Sequence, residues 1–380
     1  MQRKYLEAEH LMFEETIKEF IKKEMVPYEH QWEKDGQVSR EIWKKGAEIG
    51  ILGLDIPEEY GGLGLNDYRY NSILLEEMGR ANVCGPGFGP QNEIVLPYIM
   101  EYGTEAQKKK FLPKMANGEW IGALAMSEPA AGSDVAGIRT TAIDKGDHFE
   151  VNGSKTFITN GVMCDFAVTA VKTSPEKGSR GVSMLLMERT FEGFTTGEPL
   201  DKIGMKANDT GELFFDNVKV PKENLLGELD KGFYHMMHNL PQERMSIASG
   251  AIGAMEGVLA FTIQYCKDRE AFGKPIGQFQ NTKFKLAEMA TEITIGRTFV
   301  DECVMELVAG TLTSEKAAMA KYWLSDLLCK VVDECLQLHG GYGFINEYPI
   351  AKAYRDARVS RIYGGTNEIM KEIIGRSLLV

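Results

Sequence analysis

Two short segments hold the side chains best suited to chemistry: Leu240-Pro241-Gln242-Glu243-Arg244 and Tyr363-Gly364-Gly365-Thr366-Asn367-Glu368. The first offers a carboxylate, Glu243, within a helical stretch. An exposed glutamate on a helix is an ordinary surface charge, and that is the commonest fate of the residue. Buried beside apolar groups, it would hold its proton more tightly and approach the pKa of a working general base. Adjacent helical residues do not face each other, so Arg244 points away from Glu243. In the second segment Gly364 has no side chain to take a proton, but its backbone N–H stays open to a ligand.

Four further segments are built for contact with a ligand. Leu124 to Gly137 (Leu-Ala-Met-Ser-Glu-Pro-Ala-Ala-Gly-Ser-Asp-Val-Ala-Gly) is an irregular Gly- and Ala-rich turn, with hydroxyls and backbone N–H groups that suit a ring edge or a phosphate. Thr156-Phe157-Ile158-Thr159-Asn160-Gly161 reads as a strand, in which alternation alone makes Phe157 a core aromatic. Arg269 to Gln280 is a polar break between two long helical patterns. Gln337-Leu338-His339-Gly340-Gly341-Tyr342-Gly343-Phe344 ends a helix on paired glycines that allow close backbone approach. His235 and His238 lie three apart with nothing nearby to complete a zinc set, so they are read as structural and no metal is expected.

The elements that must position these groups follow from composition and period. At 380 residues the chain exceeds one core, so two or three domains are expected. Hydrophobic residues make up 43% and charged residues 26%, ordinary for a globular protein. A net charge of −12 argues against nucleic acid or an anionic membrane as partner, and the hydropathy pattern gives no expected membrane span. The six scattered cysteines form no C-x-x-C pair and are expected as free thiols in a reducing compartment. Residues 1–118 read as helical: Phe13, Ile17, Phe20, Ile21 and Met25 keep helical spacing up to Pro27. The Gly61-Gly62-Leu63-Gly64 loop lacks a preceding strand and is read as a tight connection. Residues 119–225 read as a mostly antiparallel β-domain, with a hairpin turn placed at Asn152-Gly153 and strands over 166–171, 182–186 and 213–215. Residues 226–380 are helical again. The stripes Leu286, Met289, Ile293, Val300, Val304, Leu307 and Met319, Trp323, Leu327, Val331, Cys335, Leu338 predict a helix bundle. The fold class is α+β, mostly α.

The Met126–Gly137 segment and the Gln337–Pro349 segment closely resemble the two signatures of the acyl-CoA dehydrogenase family, and the resemblance runs along essentially the whole chain. It implies a helical N-terminal domain, a middle β-domain and a C-terminal four-helix bundle. It further implies one FAD, bound by residues matching Leu124, Met126, Ser127, Gly132, Ser133, Phe157, Thr159, Thr366 and Glu368, and gripped from a neighbouring subunit by Arg269, Phe272, Gln280, Gln337, Gly340 and Gly341. Most of the family carries its base directly after the tyrosine, where this chain has Gly364. The long-chain and isovaleryl-CoA members carry it on a distant helix directly before an arginine, and Glu243 stands there. The resemblance is nearest to the long-chain type.

The implied reaction is α,β-dehydrogenation of an acyl-CoA, of medium-to-long chain, to the trans-2-enoyl-CoA in fatty-acid β-oxidation. Glu243 is the implied base and the Gly364 N–H the implied holder of the thioester oxygen. Ser133, Leu240, Arg244, Tyr363, Gly364 and Gly365 are the implied substrate contacts. The implied partners are electron-transferring flavoprotein as acceptor and three further copies in a dimer-of-dimers homotetramer. Branched or carrier-bound thioesters, or a flavin monooxygenase or oxidase on the same fold, are the alternatives. The expected location is the bacterial cytoplasm, or the mitochondrial matrix for a processed eukaryotic form.

Overall fold

The computed structural model describes residues 3–379. Six helices open the chain: α1 (Ala8–Phe20), α2 (Glu29–Asp35), α3 (Arg40–Glu48), α4 (Tyr68–Arg80), α5 (Leu96–Tyr102) and α6 (Glu105–Ala116). The apolar stripe of α1 continues through a π-turn, Ile21–Met25, and buries Ile17, Phe20, Ile21 and Met25. Asp67 caps α4 by accepting from the Arg69 N–H. A second π-helical stretch, Pro90–Val95, leads into α5. Gly61–Gly64 follows a short 3₁₀ turn, not a strand, as its reading as a tight loop requires.

The strands are β1 (Gly122–Ala125), β2 (Thr141–Asp144), β3 (His148–Thr159), β4 (Phe166–Lys172), β5 (Val182–Glu188), β6 (Phe194–Thr196), β7 (Thr210–Pro221) and β8 (Leu225–Leu226). They form one sheet in the order β6-β7-β3-β2-β4-β5-β8, with β1 parallel to β4 and most other pairs antiparallel. The hairpin expected at Asn152-Gly153 is not there. β3 runs straight through it, and the turn joins β2 to β3 at 145–147 instead. Gly153 serves a register shift against β7, and a Cβ there would sit 2.5 Å from Thr140 Oγ1, so the glycine is required by close packing. One sheet face packs Phe166, Val168 and Leu186 against Phe111, Leu112 and Met115 of α6.

The C-terminal helices are α7 (Gly232–Asp268), α8 (Gln280–Val308), α9 (Ser314–His339), α10 (Pro349–Ala357) and α11 (Asn367–Leu378), with a two-residue-per-strand hairpin, β9 (Glu270–Ala271) and β10 (Lys274–Pro275), between α7 and α8. Met289, Ile293, Val300, Val304, Leu327, Val331 and Cys335 of the expected stripes are buried together in one core. All six cysteines are free. By length and composition, α7 is apolar enough to cross a membrane, with a mean hydropathy of 1.5 over eighteen residues. Here α7 is the central helix of the bundle, with 56% of that stretch buried.

What seats α7 is contact with α4. A Cβ at Gly253 would lie 2.1 Å from the Glu76 carbonyl oxygen, and one at Gly257 would lie 2.2 Å from that of Arg80. Two glycines one turn apart therefore let the backbones touch, which any larger residue would prevent. Beside this crossing lies an ionic cluster. Arg297 of α8 is 3% exposed and reaches Glu76 at 2.9 Å and Glu256 at 2.9 Å, while Arg3 reaches Glu76 at 2.8 Å. Removing Arg297 leaves Glu76, which is 1% exposed, with Arg3 as its remaining cation. Arg297→Met is expected to cost about 3 kcal/mol in chemical unfolding, and adding Glu76→Gln should return part of it.

Candidate active site

Glu243 lies on α7, two residues after Pro241, whose missing N–H interrupts the helical hydrogen-bond ladder. It is 4% exposed, and its Oε1 accepts from the hydroxyl of Tyr98 on α5 at 3.4 Å. Burial pushes its carboxyl up to about 7, against the opposing pull of that hydrogen bond and of Arg244. A carboxyl divided between its two protonation states near neutrality can both take and release a proton. Arg244 points the other way, as adjacency on a helix demands, and donates from Nη1 to Ser314 Oγ at the start of α9. Gln242 donates to Glu93 Oε2 at 3.0 Å, and burial pushes the Glu93 carboxyl well up.

Gly364 closes the other side. Its φ is +64° and that of Gly365 is +89°, both in the left-handed region. A Cβ at Gly364 would meet Ile247 Cδ1 at 2.4 Å, and Ile247 is one helical turn beyond Glu243. The structure thus brings Glu243 and Gly364 to one place, joined by Ile247. Lys321, fully buried on α9, donates to the Gly365 carbonyl at 2.7 Å and to Asn367 Oδ1 at 2.9 Å. Thr366 caps α11 by accepting from the Ile369 N–H at 3.4 Å, while Tyr363 and Glu368 are exposed. Leu240 is half-buried one turn before Arg244.

The turn after β1 forms a second group. Glu128 is its anchor: its carboxylate accepts from the Arg139 and Thr140 N–H groups at 2.6 and 3.0 Å and from Lys155 Nζ at 2.8 Å. Lys155 also holds the Met126 carbonyl at 3.1 Å. Burial lowers the Lys155 ammonium to about 8; for Glu128 burial works upward, but the charge and hydrogen bond of Lys155 outweigh it. Leu124, Met126 and Ser127 are half-buried, and Gly132 and Ser133 are exposed. Phe157 is not in the core. The register shifts between Lys155 and Ile158, Phe157 takes φ +59°, and its ring stands 71% exposed beside half-buried Thr159. The bulge breaks the alternation on which the core reading relied.

A third group lies at the far end of α7. Arg269, Gln337, Gly340 and Gly341 line an open cleft of about 460 Å³ with Tyr265 and Tyr342. Among the described residues, no atom comes within 4 Å of where a Cβ would project from Gly340 or Gly341. Phe272 and Gln280 are exposed outside the cleft, Phe272 at 96%. Arg269 follows Glu243 along α7 by roughly 39 Å at the helical rise. No hydrogen bond or ion pair among the described residues joins this group to Glu243. Tyr98, Ile247, Lys321 and the Glu128–Lys155 pair were not singled out from the sequence. Only Lys155 left a signal there, a lysine at an inward-facing position of a strand.

Comparison with known proteins places the chain in a family. Residues 7–119, 123–218 and 230–379 match the acyl-CoA dehydrogenase N-terminal, middle and C-terminal domain models. The long-chain specific acyl-CoA dehydrogenase of Mus musculus mitochondria is 48% identical over 379 residues, covering 99% of this chain and 88% of its own. The crystal structure of an acyl-CoA dehydrogenase from Geobacillus kaustophilus superposes with a TM-score of 0.97 at 49% identity, covering all of both chains. One from Bacillus anthracis, described as complexed with FAD, superposes with a TM-score of 0.91 at 32% identity, covering 100% of this chain and 69% of that one. The chain belongs to the acyl-CoA dehydrogenase family. It is an oxidoreductase acting on acyl-CoA, and the family is FAD-dependent.

The residues present fit that cofactor. The exposed Phe157 ring offers a flat apolar face, and the turn at Gly132 and Ser133 is open and rich in donors. The Arg269 cleft suits an anionic tail. Lys155→Met should strand Glu128 and loosen the Met126 carbonyl. The expected result is a stability loss of about 3 kcal/mol and a lower flavin-to-protein absorbance ratio after dialysis, with Glu243 untouched.

Proposed function

We propose that the enzyme dehydrogenates medium-to-long-chain acyl-CoA thioesters between Cα and Cβ, with Glu243 as the base. The observation that carries this reading is a buried carboxyl poised at about 7, one helical turn from Ile247, whose δ-methyl fills the empty side of Gly364, the position where most of the family places its base. The name of the murine relative supports the chain length. Leu124, Met126, Ser127, Gly132, Ser133, Phe157 and Thr159 would hold the ring end of FAD, with Thr366 and Glu368 nearby. Arg269, Phe272, Gln280, Gln337, Gly340 and Gly341 would hold FAD bound mainly to a second copy, since α7 separates them so far from Glu243. That division supports an oligomer, and we propose the homotetramer. When bound, FAD supplies the acceptor for the hydride leaving Cβ.

The chain's own residues manage the proton and the developing charge. Glu243 takes the α-proton onto a carboxylate oxygen. Tyr98 orients that carboxylate and stabilises its ionised form. The Gly364 N–H makes no hydrogen bond among the described residues, which leaves it to donate to the thioester oxygen as negative charge builds there. Ser133, Leu240, Arg244, Tyr363 and Gly365 complete the substrate contacts in this reading. Electrons would leave to electron-transferring flavoprotein, so turnover with that acceptor should far exceed turnover with dissolved oxygen.

The test is the single-turnover rate of flavin bleaching by a saturating acyl-CoA. Glu243→Gln should keep FAD and bind acyl-CoA yet bleach roughly 10²–10⁴-fold more slowly; bleaching at the parental rate overturns the assignment. In the parent the rate should rise with pH through about 7, as Glu243 loses its proton. Tyr98→Phe removes a donor that favours the ionised form, so that midpoint should move upward and the rate at neutral pH should fall. A midpoint that does not move with Tyr98→Phe places the titrating group elsewhere.

A further inference from the structure

A glycine at 364 leaves room, and in this chain the room is filled. The Ile247 δ-methyl stands 2.4 Å from where a Cβ at 364 would lie, well inside van der Waals contact. The backbone on each side of that contact is held. The Gly364–Gly365 turn is held by Lys321 Nζ on the Gly365 carbonyl at 2.7 Å. It is held again by Asn367, which accepts from Lys321 at 2.9 Å and donates to Asp326 Oδ1 at 2.9 Å and to the Tyr322 carbonyl at 3.2 Å. On the other side Ile247 rides on α7, whose backbone touches α4 at Gly253 and Gly257. Only the side chain of residue 247 can give way.

We infer that Ile247 is a specificity-determining residue for the base itself: its δ-methyl occupies the space that a side chain at 364 must enter, so a carboxylate at 364 has to displace that methyl while one at 243 does not. The inference rests on the reading of Glu243 as base, and it makes positions 243, 247 and 364 one unit. Exchanging the carboxylate between 243 and 364 alone is then insufficient. The minimal change that opens the site is Ile247→Val, which removes the δ-methyl and keeps the branched β-carbon.

Two measurements on the FAD-loaded enzyme test this. The first is a cycle of Gly364→Ala, Ile247→Val and both together, read by thermal melting. A left-handed φ strains any residue at 364 equally in the two backgrounds, so that cost cancels and the steric part remains. Gly364→Ala should lower the melting temperature markedly in the parent and much less in the Ile247→Val background; equal losses overturn the inference. The second compares the double variant Glu243→Gly/Gly364→Glu with the triple variant that adds Ile247→Val. The triple variant should bleach its flavin roughly tenfold faster with a saturating acyl-CoA. A double variant as fast as the triple overturns the inference too. Glu243→Gln bleaching at the parental rate would instead remove the base assignment, and the melting cycle would still decide the steric claim.

Discussion

The backbone contact between α4 and α7 at Gly253 and Gly257 is the constraint on which the rest of the molecule depends. α7 is the one element that reaches both the carboxyl of Glu243 and the arginine cleft at its far end. It is also the core of the bundle, against which α8 and α9 pack. Seating it directly on α4 fixes its distance from the N-terminal helices, and therefore the distance from Glu243 to Tyr98 on α5. Carbonyl oxygens of α4 lie where side chains would otherwise be, so this seat has almost no tolerance. The ionic cluster of Arg3, Glu76, Glu256 and Arg297 sits beside it and couples α8 to the same crossing.

Given that seat, the chemistry of the site is largely a matter of what surrounds one carboxyl. Glu243 is desolvated, receives one long hydrogen bond among the described residues, and has its neighbouring cation turned toward Ser314. Had Arg244 paired with it, the carboxyl would be a strong ion pair and a poor base. Burial raises proton affinity, and Tyr98 keeps that rise within a useful range. The buried Lys321 acts at a distance from the reaction. It holds a left-handed turn that exposes a backbone N–H, and the cost of its burial is visible in an ammonium lowered to about 8.

The β-domain shows a different use of buried charge. Glu128 and Lys155 form a closed pair that satisfies three backbone groups and so gives shape to an otherwise irregular turn. The neighbouring bulge then turns Phe157 outward. A regular strand would have buried that ring. The irregularity is what converts a core aromatic into a surface one beside the turn.

Much of this was legible in the chain alone. The helical stripes, the switch of period after Trp120 and the order of three domains follow from local apolar spacing, which is a property of sequence. Gly364 and the proposed base, Glu243, could be picked out from the sequence because the family's motifs mark both positions. What the sequence did not determine depends on contacts between distant segments. Asn152-Gly153 has the composition of a hairpin turn, yet pairing with β7 over the whole of β3 outweighs that local preference. Phe157 has a core residue's place in the alternation, yet a bulge two residues long reverses its face. Tyr98, Ile247 and Lys321 carry no mark in the sequence, because what matters in each is which atom of another element it touches. Local periodicity sets which elements form. Only the packing of α5, α7, α9 and the 364 turn against one another decides which carboxyl loses its water and which glycine has its empty side filled.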